Sequence, residues 1–252
     1  MAEHQPLVSV IMPCYNMERF IADTINSVIH QTFTDWELLI TDDASTDKTV
    51  AIVQSMTEQD ARIRLTVNTT HLGIAASRNN CIKASHGRFL AFLDADDLWH
   101  PDKLQRQLQF MMERKIGFSY SSYDLVDESG TPMKKIIHTA GDLDYNAYLR
   151  NTIIGCSTVM IDIDLVGQVI VPDFRTSEDS ATWLNILKRG FKAYAINEAL
   201  TSYRIRSHSA SSNKFKAAAD LWKVYRKNEQ LSFLKTFYYF CCYTFNAIKK
   251  RL

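Results

Sequence analysis

A chain of 252 residues, 46% hydrophobic and 23% charged, has the make-up of an ordinary soluble globular protein and excludes an intrinsically disordered one. A net charge of +1 gives no reason to expect a nucleic-acid partner, but the charge is unevenly spread: from Lys214 onward nine Lys/Arg stand against two acids, so this tail carries +7 and residues 1–213 carry −6. Five scattered cysteines without C-x-x-C spacing, an N-terminus with no basic segment before its first apolar run, and no uninterrupted apolar stretch of about eighteen residues together predict a cytoplasmic protein with free thiols and no membrane span.

Leu7 to Met12 reads as a first strand, ended by Pro13, which cannot donate to a ladder. Asn16 is the expected cap of a helix on which Ile21, Ile25, Val28 and Ile29 form one stripe. Trp36 to Thr41 is a second strand running into Asp42 and Asp43, and Ser45 or Thr46 then starts a helix carrying Val50, Val53 and Met56. Ile63 to Val67 is a third strand, followed by Gly73 and a helix from about Ala75 to Ser85 that Gly87 terminates. A fourth strand, Phe89 to Leu93, ends in three carboxylates, Asp94, Asp96 and Asp97. Pro101 suits the first turn of the next helix, where Leu104, Leu108, Met111 and Met112 share a face.

Strands alternating with helices predict an α/β fold with a parallel, doubly wound sheet, in which ligands bind beyond the carboxyl ends of the strands. The unusual polar residues fall at those ends: Tyr15, Asp42 and Asp43, His71, and the trio Asp94, Asp96 and Asp97. They predict one acidic cleft with an aromatic wall. Three carboxylates within four residues repel one another unless a cation or a set of donors is present, and an oxygen-ligated Mg²⁺ or Mn²⁺ is the natural remedy. A turn plus a helix cap would account for one such Asp, not for three.

The second half is less regular. Phe118 to Val126 reads as a strand, Glu128 to Gly130 as a turn into a short hairpin, and Ile153 to Ile161 as another strand. Ser177, Glu178 and Asp179 open a helix carrying Trp183, Leu184 and Leu187 that ends near Gly190. Lys192 to Ile196 and Leu200 to Ile205 are two further strand candidates, and Lys214 to Lys250 reads as one or two helices.

The segments VSVIMPCYN, ELLITDDASTDKT, HLGIAASRN, GRFLAFLDADDLWHPDKL and SEDSATWLNILKRG resemble, in order and spacing, glycosyltransferase family 2, over roughly residues 7–210. The resemblance implies the GT-A (Rossmann-like) fold and inverting transfer from a nucleotide-diphosphate sugar, with residues 1–212 as catalytic domain and 213–252 as a basic, aromatic-rich helical extension. It implies that Pro13 and Tyr15 lie beside the nucleobase, that Asp43 accepts from a uracil N3–H with Asp42 supporting the loop, and that Arg78 adds positive charge near the cleft or pairs with its acids. Of the acidic trio it implies Asp96 as metal ligand with Asp97 beside it, Asp94 and Asp97 sharing ribose, water or secondary contacts, and a divalent Mn²⁺ or Mg²⁺ drawing charge from the leaving diphosphate. Asp179 matches the catalytic base, with Glu178 as the neighbour able to substitute, because a carboxylate tied to a metal is a poor proton acceptor.

The segment YRIRSHSASS resembles the family's Y-R-x-H-x-x-S, with Arg206 in the usual His position and His208 displaced by two. Arg204 or Arg206 reaching the diphosphate is a separate expectation, and His208 reads as a surface histidine. The tail resembles bacterial members that build cell-surface polysaccharide (teichuronic acid, capsule or lipopolysaccharide), which implies a lipid-linked or oligosaccharide acceptor. Its aromatic and basic residues 231–252 would then lie peripherally on the inner, anionic face of the membrane, or pack against the catalytic domain or a second subunit. Two rival readings stand beside transfer: a non-catalytic module binding sugar-nucleotide or carbohydrate, and a metal-dependent phosphohydrolase using the Asp94-x-Asp96 region.

Overall fold

The computed structural model describes residues 5–206 and 214–249. Its first half alternates strand and helix: β1 (Val8–Cys14), α1 (Ile21–Ile29), β2 (Trp36–Asp42), α2 (Thr49–Thr57), β3 (Ile63–Val67), α3 (Ile74–Lys83) and β4 (Phe89–Phe92). The strands lie parallel in the order β3-β2-β1-β4. Successive residues of a strand point to opposite faces, so Val8, Val10 and Met12 pack against Ile21, Ile25 and Val53, while Ile11 packs on the opposite face with Cys81 and Trp183. Strands β1, β2 and β4 are buried throughout, as expected of parallel strands covered on both faces.

Pro13 does not end β1; it pairs in register with Thr41. Ile11, two residues earlier, turns its carbonyl toward Leu93 N (3.1 Å), so the donor that Pro13 lacks would face the side on which β4 has already finished. Asn16 does not cap α1. It sits at φ 52°, receives Thr46 N on its side-chain oxygen (2.8 Å) and donates its own N–H to Ser45 Oγ (2.8 Å), stapling the ends of β1 and β2 together. Asp47, rather than Ser45 or Thr46, opens α2 by accepting Thr49 N and Oγ1. Gly87 does not terminate α3 either, since Ala84 follows its last turn. Gly87 is small for a packing reason: a Cβ there would lie 2.6 Å from Ser9 N, and its N–H donates to Ser9 Oγ (2.8 Å).

The second half comprises β5 (Leu98–Trp99), α4 (Lys103–Arg114), β6 (Phe118–Val126), β7 (Pro132–Ile137), α5 (Tyr145–Arg150), β8 (Val159–Asp162), α6 (Ile163–Val166), α7 (Glu178–Leu187) and β9 (Tyr194–Arg204). It extends the sheet as β4-β8-β6-β9-β5, with β7 on β6. β8 is antiparallel to both β4 and β6, and β9 runs parallel to β6, so the doubly wound parallel pattern holds for the first half and the complete sheet is mixed. Strand direction follows the connections: α4 carries the chain past β4's neighbouring slot to β6, and that slot is filled from the opposite direction by β8.

Of Ile153 to Ile161 only the last residues are strand; Cys156–Thr158 form a 3₁₀ turn. The two strands expected at Lys192–Ile196 and Leu200–Ile205 are one. Ser121 pairs with Ile196 and Ser122 with Ala199, so Asn197 and Glu198 bulge out, which mimics a break in sequence. At the C-terminus α8 (Lys214–Lys223) passes through a π-helical turn, Val224–Asn228, to α9 (Phe233–Lys249). Leu221, Val224 and Tyr225 are buried in the same core as Trp183 on α7.

Candidate active site

The carboxyl ends of β1, β2 and β4, the segment after β3 and the start of α7 surround one cleft of about 1020 Å³. Pro13, Tyr15, Asp43, Asp94, Asp96 and Asp179 all line it, joined by His71, Glu178, Tyr203 and Arg206. The structure thus brings these residues together at one hollow and places Arg78 and Asp97 behind it.

Asp43 is almost fully buried, and its carboxylate is saturated. Oδ1 accepts Asn68 Nδ2 (2.8 Å) and Leu72 N (2.9 Å), while Oδ2 accepts Gly73 N (2.7 Å) and faces His71 Nδ1 (2.9 Å). Burial works to raise its pKa, but the hydrogen bonds from Asn68, Leu72 and Gly73 outweigh that and hold it below the usual carboxylate value. Asp43 therefore shapes the 68–73 loop that brings His71 against Tyr15, the two rings 4.4 Å apart between centroids. His71 is the exposed member of the set, so a donor on a flat ligand would take its place at Asp43. Asp42 is buried beneath, accepting Ser45 N (2.8 Å) and Ser45 Oγ, in the loop-supporting position expected of it.

The three acids after β4 part company. Asp94 faces the cleft, with its N–H on Ser157 Oγ (3.0 Å). Asp96 also faces it, its Oδ2 2.5 Å from Arg206 Nε. Burial pushes the Asp96 carboxyl up, Arg206 pulls it down and Asp94 pushes it up again, with a net rise. Asp97 is turned away and 1% exposed, accepting Ser157 Oγ (2.6 Å) and Arg204 N (3.0 Å). Burial and its two acidic neighbours hold its proton well above the usual value. Asp97, expected either beside Asp96 at a metal or in a secondary contact, has both its oxygens occupied behind the cleft, where they fix the acidic turn.

Of the two roles open to Arg78, the ion pair with the acids is the one the structure displays. At 2% exposure it donates NH2 to Asp94 (2.7 Å) and NH1 to Glu178 (3.0 Å), joining the two acidic walls from behind. Glu178, the neighbour expected to be able to substitute, lines the cleft while held by Arg78. Asp179, half-buried at the first turn of α7, keeps its carboxylate on the cleft and accepts Ser180 N. Burial, then the neighbouring Glu178 charge, push its pKa to about 7 against the pull of Arg78. A carboxyl with that value is half-ionised near neutrality, the condition that suits a general base.

Arg204 and Arg206 differ in the same way. Arg204 is buried and structural, its Nε on Asp96 O (2.8 Å) and its NH1 on Glu128 O (3.0 Å). Arg206 reaches into the cleft. His208 lies outside the described residues. Sequence reasoning missed Ser157, whose hydroxyl and carbonyl bind Asp94, Asp97 and Trp99. It also missed the 173–176 loop along the rim of the cleft just before Asp179. Neither carried a signal: Ser157 stood within an apolar run, and the loop has no periodicity.

Comparison with known proteins agrees with this geometry. Residues 9–222 match the profile described as Glycosyl transferase family 2. The chain is 48% identical over 252 residues, the full length of both, to TuaG of Bacillus subtilis (strain 168), whose name provisionally assigns it to teichuronic acid biosynthesis. It is 39% identical over 219 residues to Escherichia coli WfgD, named a UDP-Glc:alpha-D-GlcNAc-diphosphoundecaprenol beta-1,3-glucosyltransferase, covering 86% of this chain and 85% of that one. Among solved structures, S. aureus TarS 1-349 with UDP-GlcNAc superposes with a TM-score of 0.70 at 21% identity, over 88% of this chain and 65% of TarS 1-349. The mannosyltransferase PcManGT of Pyrobaculum calidifontis, solved with GDP-Man and Mn²⁺, superposes at 0.68 and 19%, over 91% of this chain and 66% of PcManGT. The two structures share the GT-A fold with this chain, and the sequence relatives carry the activity class, which sets aside the phosphohydrolase and binding-module readings. The chain belongs to glycosyl transferase family 2 and is a glycosyltransferase.

Proposed function

We propose that this glycosyltransferase moves a sugar from a uridine-diphosphate sugar to a hydroxyl of a lipid-linked acceptor during assembly of a cell-surface polysaccharide, with inversion and with Asp179 as the base. The observation that supports this most directly is Asp179 on the same cleft as Tyr15, Asp43, Asp94 and Asp96, with a pKa of about 7. The names of TuaG and WfgD support the polysaccharide and the diphosphate-linked lipid, and the ligand of TarS supports UDP.

In this reading Tyr15 and Pro13 wall the base, which displaces His71 at Asp43, and Asp94 takes the ribose. The acceptor oxygen attacks the anomeric carbon as its proton passes to the Asp179 carboxylate. The bond from that carbon to the diphosphate oxygen breaks, and the nucleoside diphosphate leaves with the electron pair. Keeping Asp179 apart from Asp96 leaves it free to accept the proton.

A divalent ion, Mn²⁺ or Mg²⁺, fits the residues present. Among the described residues no three His, Cys, Asp or Glu converge, so the protein supplies one or two carboxylates, Asp96 with Asp94, in the manner of ions shared with a substrate's phosphates. The Arg206 guanidinium now on Asp96 shows that the position accepts positive charge. When bound, such an ion neutralises charge building on the departing diphosphate. Arg206, released from Asp96, is then placed to meet the same phosphates.

Among the described residues no helix is long and apolar enough to cross a membrane. A lipid-linked acceptor would therefore be met from the membrane surface, through peripheral contact by the 231–252 segment. The test is a thermal-shift screen of the full chain with UDP-sugars, with and without Mn²⁺, followed by transfer to an undecaprenyl-diphosphate-linked sugar. A melting-point rise that needs both a UDP-sugar and Mn²⁺ is expected. Indifference to every UDP-sugar would overturn the reading.

A further inference from the structure

Helix α9 has one face in the protein and one in water, and the wet face too is apolar and aromatic. Thr236 is buried, Tyr239 Oη donates to Asn146 Oδ1 (2.9 Å) and Asn246 Nδ2 to Arg150 O (3.0 Å), seating the inner face on α5. On the outer face Leu234 is 80% exposed, Phe237 56%, Tyr238 52% and Phe245 69%, with Cys241 exposed between them. Their spacing of three, four, seven and eleven residues places all five on one stripe of an α-helix. Scattered exposed apolar residues are ordinary; a helix-long aromatic stripe marks a contact surface.

Charge tells which contact. Segment 214–252 contains only two acids, Asp220 and Glu229, and both are buried. Asp220 is paired with Lys223 (2.7 Å) and Glu229 with Lys188 (3.3 Å). Lys216, Arg226, Lys227 and Lys235 are exposed, so among the described side chains of this segment the charge shown to solvent is cationic. An exposed aromatic stripe flanked by cations alone is complementary to an anionic lipid bilayer, with rings at headgroup depth and lysines on phosphate.

We propose that the outer face of α9 is a membrane-docking surface for anionic phospholipid, with Leu234, Phe237, Tyr238 and Phe245 as its inserting residues. The inference deepens the reading of a membrane-borne acceptor and gives that reading its surface. Docking is also linked to the cleft: Asp220 on α8 accepts Thr176 Oγ1 (2.7 Å) from the loop just before Asp179, so the element bearing the lipid face also holds that rim of the cleft.

The protein carries its own reporter. Trp36, Trp99 and Trp183 are buried in the catalytic core, whereas Trp222 is partly exposed and packs edge-on to Phe233 (5.9 Å) and Phe240 (5.3 Å) of α9. The full chain, without donor or acceptor, is mixed with phosphatidylglycerol vesicles or phosphatidylcholine vesicles and sedimented. Wild type is expected to partition to phosphatidylglycerol, with Trp222 emission quenched by brominated lipid, and to release as salt rises. F237S/F245S is expected to bind roughly tenfold or more weakly while melting as wild type does, and K227Q/K235Q to lose its preference for the anionic lipid. Wild type remaining in the supernatant, or F237S/F245S binding unchanged, would overturn the proposal. So would a dimer in sedimentation velocity that F237S/F245S dissociates without any vesicle binding, since that result assigns the stripe to a second copy. Because no sugar is present, failure here leaves the proposed transfer standing, and failure of transfer leaves docking standing.

Discussion

Replacing Arg78 by methionine tests how the two acidic walls of the cleft are held. The guanidinium lies 2.7 Å from Asp94 and 3.0 Å from Glu178, and its side chain is 3% exposed. Methionine fills similar space and leaves Glu178 buried without its cation. Breaking a buried pair by removing one partner costs about 3–5 kcal/mol, because the remaining charge stays desolvated. Against a typical domain stability of about 5–15 kcal/mol, the variant folds but is much weakened. Urea unfolding should show a lower midpoint at unchanged slope. The pH dependence gives a second readout. Glu178 is already raised by burial in the wild type, with Arg78 opposing that rise, and losing Arg78 raises it further. A folded-state carboxyl with a raised pKa binds more protons than the unfolded one, so the variant's stability is highest below the unfolded value and falls as pH rises through the folded one. The deficit against wild type should therefore be largest at neutral pH and shrink toward about pH 4–5. Adding E178Q to R78M should recover part of the loss. A deficit under about 1 kcal/mol, or one that does not vary with pH, would refute the argument that Arg78 neutralises these acids.

Asp179→Asn should lower transfer by roughly 10²–10⁴-fold while leaving the UDP-sugar thermal shift in place. In wild type the rate should rise with pH through about 7 as Asp179 loses its proton, and this acidic limb should be missing from the residual activity of D179N. Asp96→Asn should abolish the Mn²⁺ dependence of nucleotide binding, whereas Asp97→Asn, whose carboxyl faces Ser157 and Arg204, should show itself chiefly as a lower melting temperature. Gly87→Ala places a methyl 2.6 Å from Ser9 N between β1 and the start of β4 and should cost about 1–3 kcal/mol in denaturant unfolding, with the donor affinity of the folded fraction unchanged.

The parallel half of the sheet was legible because β1, β2 and β4 are buried on both faces and therefore read as apolar runs between helical stripes. The cleft was legible for the same reason: Tyr15, Asp43, Asp94 and Asp96 follow directly from strands whose carboxyl ends converge. Partnership within the cleft was not legible. Asp94, Asp96 and Asp97 look alike in sequence, and only Ser157 in the turn before β8 and Arg204 at the end of β9 decide that Asp97 turns inward. Arg78 stands between two roles until Glu178, 100 residues away, is seen beside it. The mixed half was misread where a local irregularity imitated an end, as with the Asn197–Glu198 bulge in β9. Strand direction, fixed by which slot is free, leaves no mark on residue pattern.

The bond from Arg204 N to Asp97, together with that from Arg204 Nε to Asp96 O, carries an implication for assembly of the enzyme. The turn after β4 that lines the cleft is clasped by a residue 107 positions downstream. A polypeptide emerging from the ribosome thus possesses its full complement of acids, Asp179 included, well before it has a competent donor pocket, and nucleotide capture by nascent chains should begin only once β9 has been released.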